Sequence, residues 1–288
     1  TNMADLLNFL LEPLNYAFIQ RGMLALIIVG GISAVVGSFV IVRGMSFFGD
    51  ALAHSILPGV ALSYTASGGS IGSNLFIGGL GAGILSVMFI AYLAEKNDMK
   101  EDTAIAIVFV TMFALGIAII SLHGSYAVDL THILFGSING ISSEDLAIMA
   151  ILSAIVLLVI GLLYKEFLVI SFDINLAYSL KLPVAALQRT MLILIAVVIV
   201  ASLQSVGITL MLALLTTPAA TARLFVKNLH HMIFVSVVLG IISGIIGFYI
   251  SYYLDIPSGA SIVSTMSTVF GLSIIAKSLH NARLSTTR

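Results

Sequence analysis

Apolar runs of about twenty residues follow one another along nearly the whole of this chain, separated only by short polar stretches. Coiled as a helix, a run of that length crosses the roughly 30 Å hydrocarbon core of a bilayer, where every backbone N–H and C=O must be bonded within its own segment. The choice of fold therefore narrows to an all-α integral membrane protein, a polytopic helix bundle. Composition agrees: 60% of the 288 residues are hydrophobic and 9% charged, against roughly a quarter charged in soluble domains. No gap between runs holds a soluble domain, so residues 1–288 read as a single transmembrane domain with the lipid bilayer as its surroundings. A net charge of −1 offers nothing to nucleic acid, and the absence of cysteine excludes disulfides, thiolate zinc sites and iron–sulfur clusters. Tryptophan is also absent, which leaves Tyr and Phe to furnish the interfacial belt.

Clear spans fall at about 22–42, 46–66, 74–94, 103–122, 146–164, 232–253 and 259–277. The stretch 190–222 holds 33 residues, about 50 Å as one helix. Gln204, Ser205 and Gly207 offer a break near its middle. Charge arbitrates. With the break, eleven of the twelve Lys and Arg residues fall on one side and Arg21 alone on the other; without it they divide six and six. The positive-inside rule thus favours nine spans over eight, with the N-terminus outside and the C-terminus in the cytoplasm. Residues 4–20, interrupted by Asp5, Glu12 and Pro13, read as a short surface helix and lack the basic start of a secretion signal. Thr1 and Asn2 read as additions ahead of an initiator Met3.

This arrangement leaves two long connections, 165–189 inside and 123–145 outside. In the inner one, Asp173 predicts an N-cap for a short helix over 174–181, ended by Pro183. Ile174, Ala177, Tyr178 and Leu180 have helical spacing but join no membrane-length run, the pattern of a helix that docks into a partner's groove. The outer segment AVDLTHILFGSINGI is too short to cross and too apolar for free solvent, so it reads as a re-entrant or surface helix.

The span at 46–66 contains GDALAHSILPGV, with Asp50 and His54 four residues apart. On a helix these share a face, and a carboxylate and an imidazole so placed close on one divalent cation such as Mn(II), Zn(II) or Fe(II). The competing reading makes Asp50 a helix cap near one interface, with His54 bonded to a carbonyl. Asp129 and His132, three apart in the outer connection, are either a second ligand pair or turn and cap residues. Glu144 and Asp145, after Ser142 and Ser143, read as a cap and first-turn charge. Thr216, Thr217 and Pro218 predict a kink within a span, either structural or a hinge beside a pathway, with threonine hydroxyls serving the freed carbonyls. Glycines 78, 79, 81, 83, 240, 244 and 247 mark faces for close helix packing. No G-x-x-x-x-G-K-[ST] occurs, so energy must come from a partner or a gradient.

Four pieces in register, RGMSFFGDALAHSILPGVAL, DLTHILFGSI, SFDINLAYSLKLPV and SVGITLMLALLTTPAATARL with the later PSGASIVSTMSTVF, resemble the permease subunit of ABC importers for manganese, zinc or iron(II). The likeness runs from about residue 21 to 278. GITLMLALLTTP and PSGA are also similar to stretches of the vitamin B12 and siderophore permeases, which implies the type II importer fold. The resemblance implies a homodimer in a bacterial cytoplasmic membrane, two cytoplasmic ATP-binding subunits and an extracytoplasmic metal-binding lipoprotein. It places Asp50 and His54 on the ion pathway, with Mn(II) favoured over Zn(II) or Fe(II) as cargo and no permanently bound cofactor. It makes 171–183 similar to the coupling helix in the ATPase cleft, giving Ser171, Phe172, Asp173, Ala177 and Leu180 that role. The alternative is a proton-coupled secondary metal carrier in which Asp50 and His54 relay protons and no ATPase is needed. An intramembrane metalloenzyme would want H-E-x-x-H or a serine with a general base, and neither is found.

Overall fold

The computed structural model describes residues 12–67, 73–96, 99–122 and 140–286, and the described residues are helical nearly throughout. The helices, in chain order, are α1 (Ala17–Val42), α2 (Phe48–Ser55), α3 (Leu57–Ala66), α4 (Ser73–Lys96), α5 (Glu101–Ser121), α6 (Ser143–Leu162), α7 (Tyr164–Phe172), α8 (Ile174–Ser179), α9 (Val184–Val206), α10 (Ile208–Phe225), α11 (Leu229–Leu254) and α12 (Ser258–Thr286). Eight of them, α1, α4, α5, α6 and α9 to α12, are long and apolar enough to cross a membrane among the described residues. The expected split of 190–222 is present: α9 ends at Val206, and Gly207, at φ +78°, takes a backbone conformation that side chains disfavour.

Three expectations need correction. The span expected at 46–66 is two helices meeting at Ile56. Pro58 lacks the N–H that would have bonded the carbonyl of His54, so the ladder is interrupted one turn after the candidate ligand. The surface helix expected at 4–20 falls partly on residues outside those described; within the described part, Pro13–Asn15 form a 3-10 turn, Tyr16 is extended, and 17–20 already belong to α1. In the inner connection over 165–189 the short helix expected over 174–181 is present as α8, but α7 precedes it and the first turn of α9 follows it where no helix was expected. Irregular backbone remains at Asp173 and at 180–183.

The local chemistry of that segment follows from its sequence. Asp173 is extended and its carboxylate accepts the Leu176 N–H at 3.0 Å, so it ends α7 and caps α8. At the other end Lys181 adopts φ +55°, its N–H bonds Tyr178 O at 2.9 Å, and Leu182 N–H reaches Ala177 O at 3.1 Å. This is a Schellman cap with lysine where glycine is usual, and Pro183 then prevents continuation. Likewise Ser142 and Asp145 form a reciprocal cap on α6: Asp145 N–H donates to Ser142 Oγ at 3.1 Å, and the Ser142 hydroxyl donates to Asp145 Oδ2 at 2.6 Å.

The chain divides into two compact units. One holds 1–38, 137–150 and 209–288, and thus most of α1 with α10, α11 and α12. The other holds 39–136 and 151–208, with α2 to α5 and α7 to α9. Burial ranks the helices. In α1 and α9, 72% and 61% of the apolar window is buried, against 17% in α6 and in α12, so the former are interior and the latter outer helices.

Without a hydrophobic drive between helices in lipid, close packing has to hold them. In the first unit, a Cβ on Gly37 would lie 1.7 Å from the carbonyl oxygen of Leu215, so α1 and α10 touch backbone to backbone. Gly240 approaches Gly30 and the Pro218 ring, and Ser38 Oγ lies 3.3 Å from Ser236 Oγ. In the second unit Gly59 and Gly78 bring α3 against α4, and Gly79 and Gly83 admit Val200 of α9. Gly81 meets nothing within 4 Å and is not part of a packing face. Pro218 sits inside α10 as expected, but the threonine hydroxyls do not serve the carbonyl it frees: Thr216 bonds Leu212 O at 2.8 Å and Thr221 bonds Thr217 O at 2.7 Å.

Gly37→Ala is expected to lower stability by about 1–3 kcal/mol, the usual cost of overpacking. Gly31→Ala, on the same helix with nothing within 4 Å of its added methyl, is expected to be neutral or mildly stabilising. Thermal unfolding in detergent checks the pair.

Candidate metal site

Helix α2 is eight residues long and buried along most of its surface: Phe48, Gly49, Ala51, Leu52, Ala53 and Ser55 are all inaccessible. Phe47, Asp50 and His54, spaced i, i+3 and i+7, form the face that stays open. His54 Nε2 lies 3.6 Å from Asp50 Oδ1, with side chains 30% and 38% exposed respectively. The cap reading of Asp50 fails here, since the N-cap of α2 is Phe47 with no side-chain bond. Neither Asp50 nor His54 hydrogen-bonds to a described residue, so both keep lone pairs to offer.

A divalent ion held about 2.1 Å from an oxygen and a nitrogen sets them roughly 3.0–3.4 Å apart. A few tenths of an ångström, within the reach of side-chain rotation, separates the observed pair from that geometry. Among the described residues no group of three or more His, Asp or Glu gathers anywhere. The described residues thus offer two donors at this place, Asp50 and His54.

Helix α5 supplies the wall behind His54. The His54 ring lies 6.0 Å from Phe109 and 5.4 Å from Phe113, which stack on each other at 5.9 Å; Phe47 meets Phe109 edge-on at 5.9 Å. No sequence signal pointed to Phe109 or Phe113, because their spacing on α5 is that of any apolar helix face. They also give the depth of the site. Helix α5 has 21 residues, about 31 Å at 1.5 Å per residue, and Phe109 and Phe113 straddle its midpoint. His54 therefore sits halfway along a membrane-crossing helix, about 12–18 Å from Glu101 at its start.

The other expected site residues are placed as follows. Asp129 and His132 lie outside the described residues. In the 171–183 segment Ala177 is fully buried and the Ser171 hydroxyl donates to Phe167 O at 2.6 Å, so both face their own protein. Phe172, Ile174, Leu176, Tyr178 and Leu180 are exposed and form the free surface. Thr217, Pro218 and Thr221 line a small, half-open pocket with Leu239, Ser243, Met266 and Val269.

Comparison with known proteins identifies the class. The profile described as the ABC 3 transport family matches residues 15–277. The chain belongs to that family. It is 42% identical to the manganese transport system membrane protein MntC of Listeria monocytogenes over 267 residues, 93% of each chain. It is 40% identical to the manganese import system permease protein ScaB of Streptococcus gordonii, covering 89% of this chain and 90% of that one. A relative in Haemophilus influenzae at 36% identity, covering 92% of each chain, is named for iron transport. Among solved structures, PsaBC from Streptococcus pneumoniae in complex with Fab matches with TM-score 0.79 and 37% identity, over 93% of this chain and 95% of that one. The protein is thus a multi-pass membrane permease of the metal ABC-transporter class, with the all-helical bundle of that class.

Removing the rings behind the imidazole tests their part in this permease. The double variant Phe109→Ala/Phe113→Ala is expected to weaken Mn(II) binding about tenfold, the scale seen when the support of a metal-bound histidine is lost. Equilibrium titration of the purified protein measures it, and an unchanged affinity would separate the rings from the site.

Proposed function

We propose that this permease carries Mn(II) inward, in preference to Zn(II) or Fe(II), between two copies of itself, driven by ATP hydrolysed in separate cytoplasmic subunits. The observation that carries the reading is the Asp50–His54 pair, held 3.6 Å apart on the open face of α2, level with the middle of the membrane-crossing helix α5. A carboxylate at that depth cannot face lipid without cost, about 2.5–3.5 kcal/mol on the insertion scale. A second copy presenting the same face would raise two donors to four and enclose the ion. Two nitrogen and two oxygen donors suit Mn(II), Zn(II) and Fe(II) alike. The names of the relatives, most for manganese and one for iron, favour the first.

ATP-binding subunits would seat on the exposed apolar residues of α8 and its flanks, Phe172, Leu176, Tyr178 and Leu180. An extracytoplasmic metal-binding protein would deliver the ion on the opposite side. The orientation with the N-terminus outside rests on the distribution of basic residues. Within the second unit, two ion pairs support it: Arg43 with Glu101 and Arg189 with Glu95 gather the ends of four helices, and their basic residues, at one end. Thr216, Thr217 and Pro218 serve as the hinge of α10 in this reading.

Asp50→Ala and His54→Ala are each expected to abolish Mn(II) uptake into proteoliposomes bearing the complete transporter, while assembly with the ATPase, judged by size-exclusion chromatography, persists. Normal uptake in both variants would reject the site. Uptake by wild-type protein without ATP but with a proton gradient would instead support the secondary-carrier alternative.

A further inference from the structure

The chemistry at the base of the second unit links the metal-bearing helix to the helix that leads out of the coupling segment. Arg43 follows directly on α1 and is almost fully enclosed, its side chain 5% exposed. Its Nη2 donates to both carboxylate oxygens of Glu101, the first residue of α5, at 2.8 and 3.1 Å. Its Nη1 points at Met191 Sδ on α9 at 3.5 Å, and Met191 is itself buried. The guanidinium is thus clamped between two helices.

What lies on either side of that clamp gives it a task. Towards the site, Gly44 at φ +76° and the bond from Met45 N–H to Val40 O at 3.0 Å make a rigid turn, and buried Met45 and Phe48 lead into α2. Asp50 is seven residues from Arg43. Glu101 begins the same α5 that carries Phe109 and Phe113, so the ion pair ties the ligand helix and its aromatic wall into one body. Towards the coupling segment, Met191 lies two turns into α9, which starts at Val184 just after the α8 cap. A displacement of α8 therefore reaches Arg43 through the first two turns of α9.

We propose that Arg43 is a positioning residue that passes movement of α8 and α9 to the Asp50–His54 helix, pushed by Met191 and kept rigid by Glu101. The two arms differ in kind. The carboxylate arm is charge-assisted, one guanidinium nitrogen reaching both carboxylate oxygens, a bond strong enough to hold through a rearrangement. The thioether arm is a soft, adaptable packing contact that transmits a push and re-forms in a new register. The neighbouring pair, Arg189 with Glu95, joins α9 to α4 but is largely exposed and touches neither ligand helix nor wall.

This role rests on the reading of 171–183 as the ATPase contact, and the test separates the two. Proteoliposomes with the complete transporter are assayed for ATP hydrolysis and Mn(II) uptake in the same sample. Wild-type protein that shows no ATP-dependent uptake overturns the functional reading itself. Given coupled wild-type uptake, Met191→Ala and Glu101→Gln are expected to keep hydrolysing ATP near the wild-type rate while ions moved per ATP fall at least about fivefold, the low end of measurable couplings. Met191→Leu, which refills the packing without sulfur, and the exchange Arg43→Glu/Glu101→Arg are expected to recover part of the ratio, and Glu95→Gln to leave it unchanged. Should Glu101→Gln fail to assemble, the Met191→Ala and Met191→Leu pair decides alone. Uptake and hydrolysis falling in proportion, or an unchanged ratio in Met191→Ala, would overturn the role of Arg43.

Discussion

A carboxylate and an imidazole level with the middle of the membrane-crossing helix α5 are the constraint around which the second unit is arranged. An isolated ionised group taken from water into hydrocarbon loses solvation that only a counter-charge, a bond or an ion restores. Helix α2 meets this by being short and by burying every other face, so that Asp50 and His54 share the open one. Pro58 then interrupts the ladder just beyond His54, and α3 resumes on its own axis against α4 and α5. The Leu57 side chain packs where a Cβ on Gly116 would stand, which fixes the far end of the broken helix to the same α5 that carries the aromatic wall. The ligand face is thereby held from three points: Arg43 below, Phe109 and Phe113 beside, and Gly116 above.

The first unit shows the complementary solution, in which polar groups are few and backbones do the packing. Serine hydroxyls at Ser38 and Ser236 bond carbonyls of their own helices, at 2.8 and 2.6 Å, and so satisfy themselves without needing a partner helix. Such interfaces hold by van der Waals contact at glycine rather than by strong directional bonds. The Gly37–Leu215 approach leaves no room for a side chain between the two backbones. Pro218 and Gly207 interrupt the chain on either side of that contact.

Much of this was legible in the residues themselves, and the reason is that the legible parts are local. Hydropathy located the long helices; the count of basic residues divided 190–222; Asp173 and Ser142 announced helix starts through capping chemistry that acts over three residues. The misread parts depended on something else. Pro58 lay in plain view, but a proline two residues into a helix start is tolerated, so only the resulting break at Ile56 distinguishes two helices from one. In the inner segment the helix capped by Asp173 is legible, but α7 before it is not, because Lys165 and Glu166 end the hydropathic run; α7 nevertheless forms, burying Phe167 and Ile170. Phe109, Phe113, Glu101 and Met191 reach their roles through pairings across 50 to 150 residues of chain, and no periodicity within one helix encodes those. Gly81 shares the spacing of its packed neighbours yet faces outward, because spacing fixes a face and not what lies opposite.

The same distinction bears on selectivity. Oxygen and nitrogen donors rank divalent transition ions in a fixed order of affinity, with manganese near the bottom, so a site built from Asp50 and His54 cannot favour manganese by donor type. Discrimination has to come from geometry and from how firmly the donors are held. A rigid pair closed to the short bonds of zinc would trap that ion; a pair resting at 3.6 Å on an open face, its imidazole beside flat rings, would accept a larger ion and release it more readily. Weak, incomplete coordination is the property a transit site needs, since an ion must leave as readily as it arrives. By this argument a third donor added beside Asp50 and His54 would tighten the hold on an ion and slow its release.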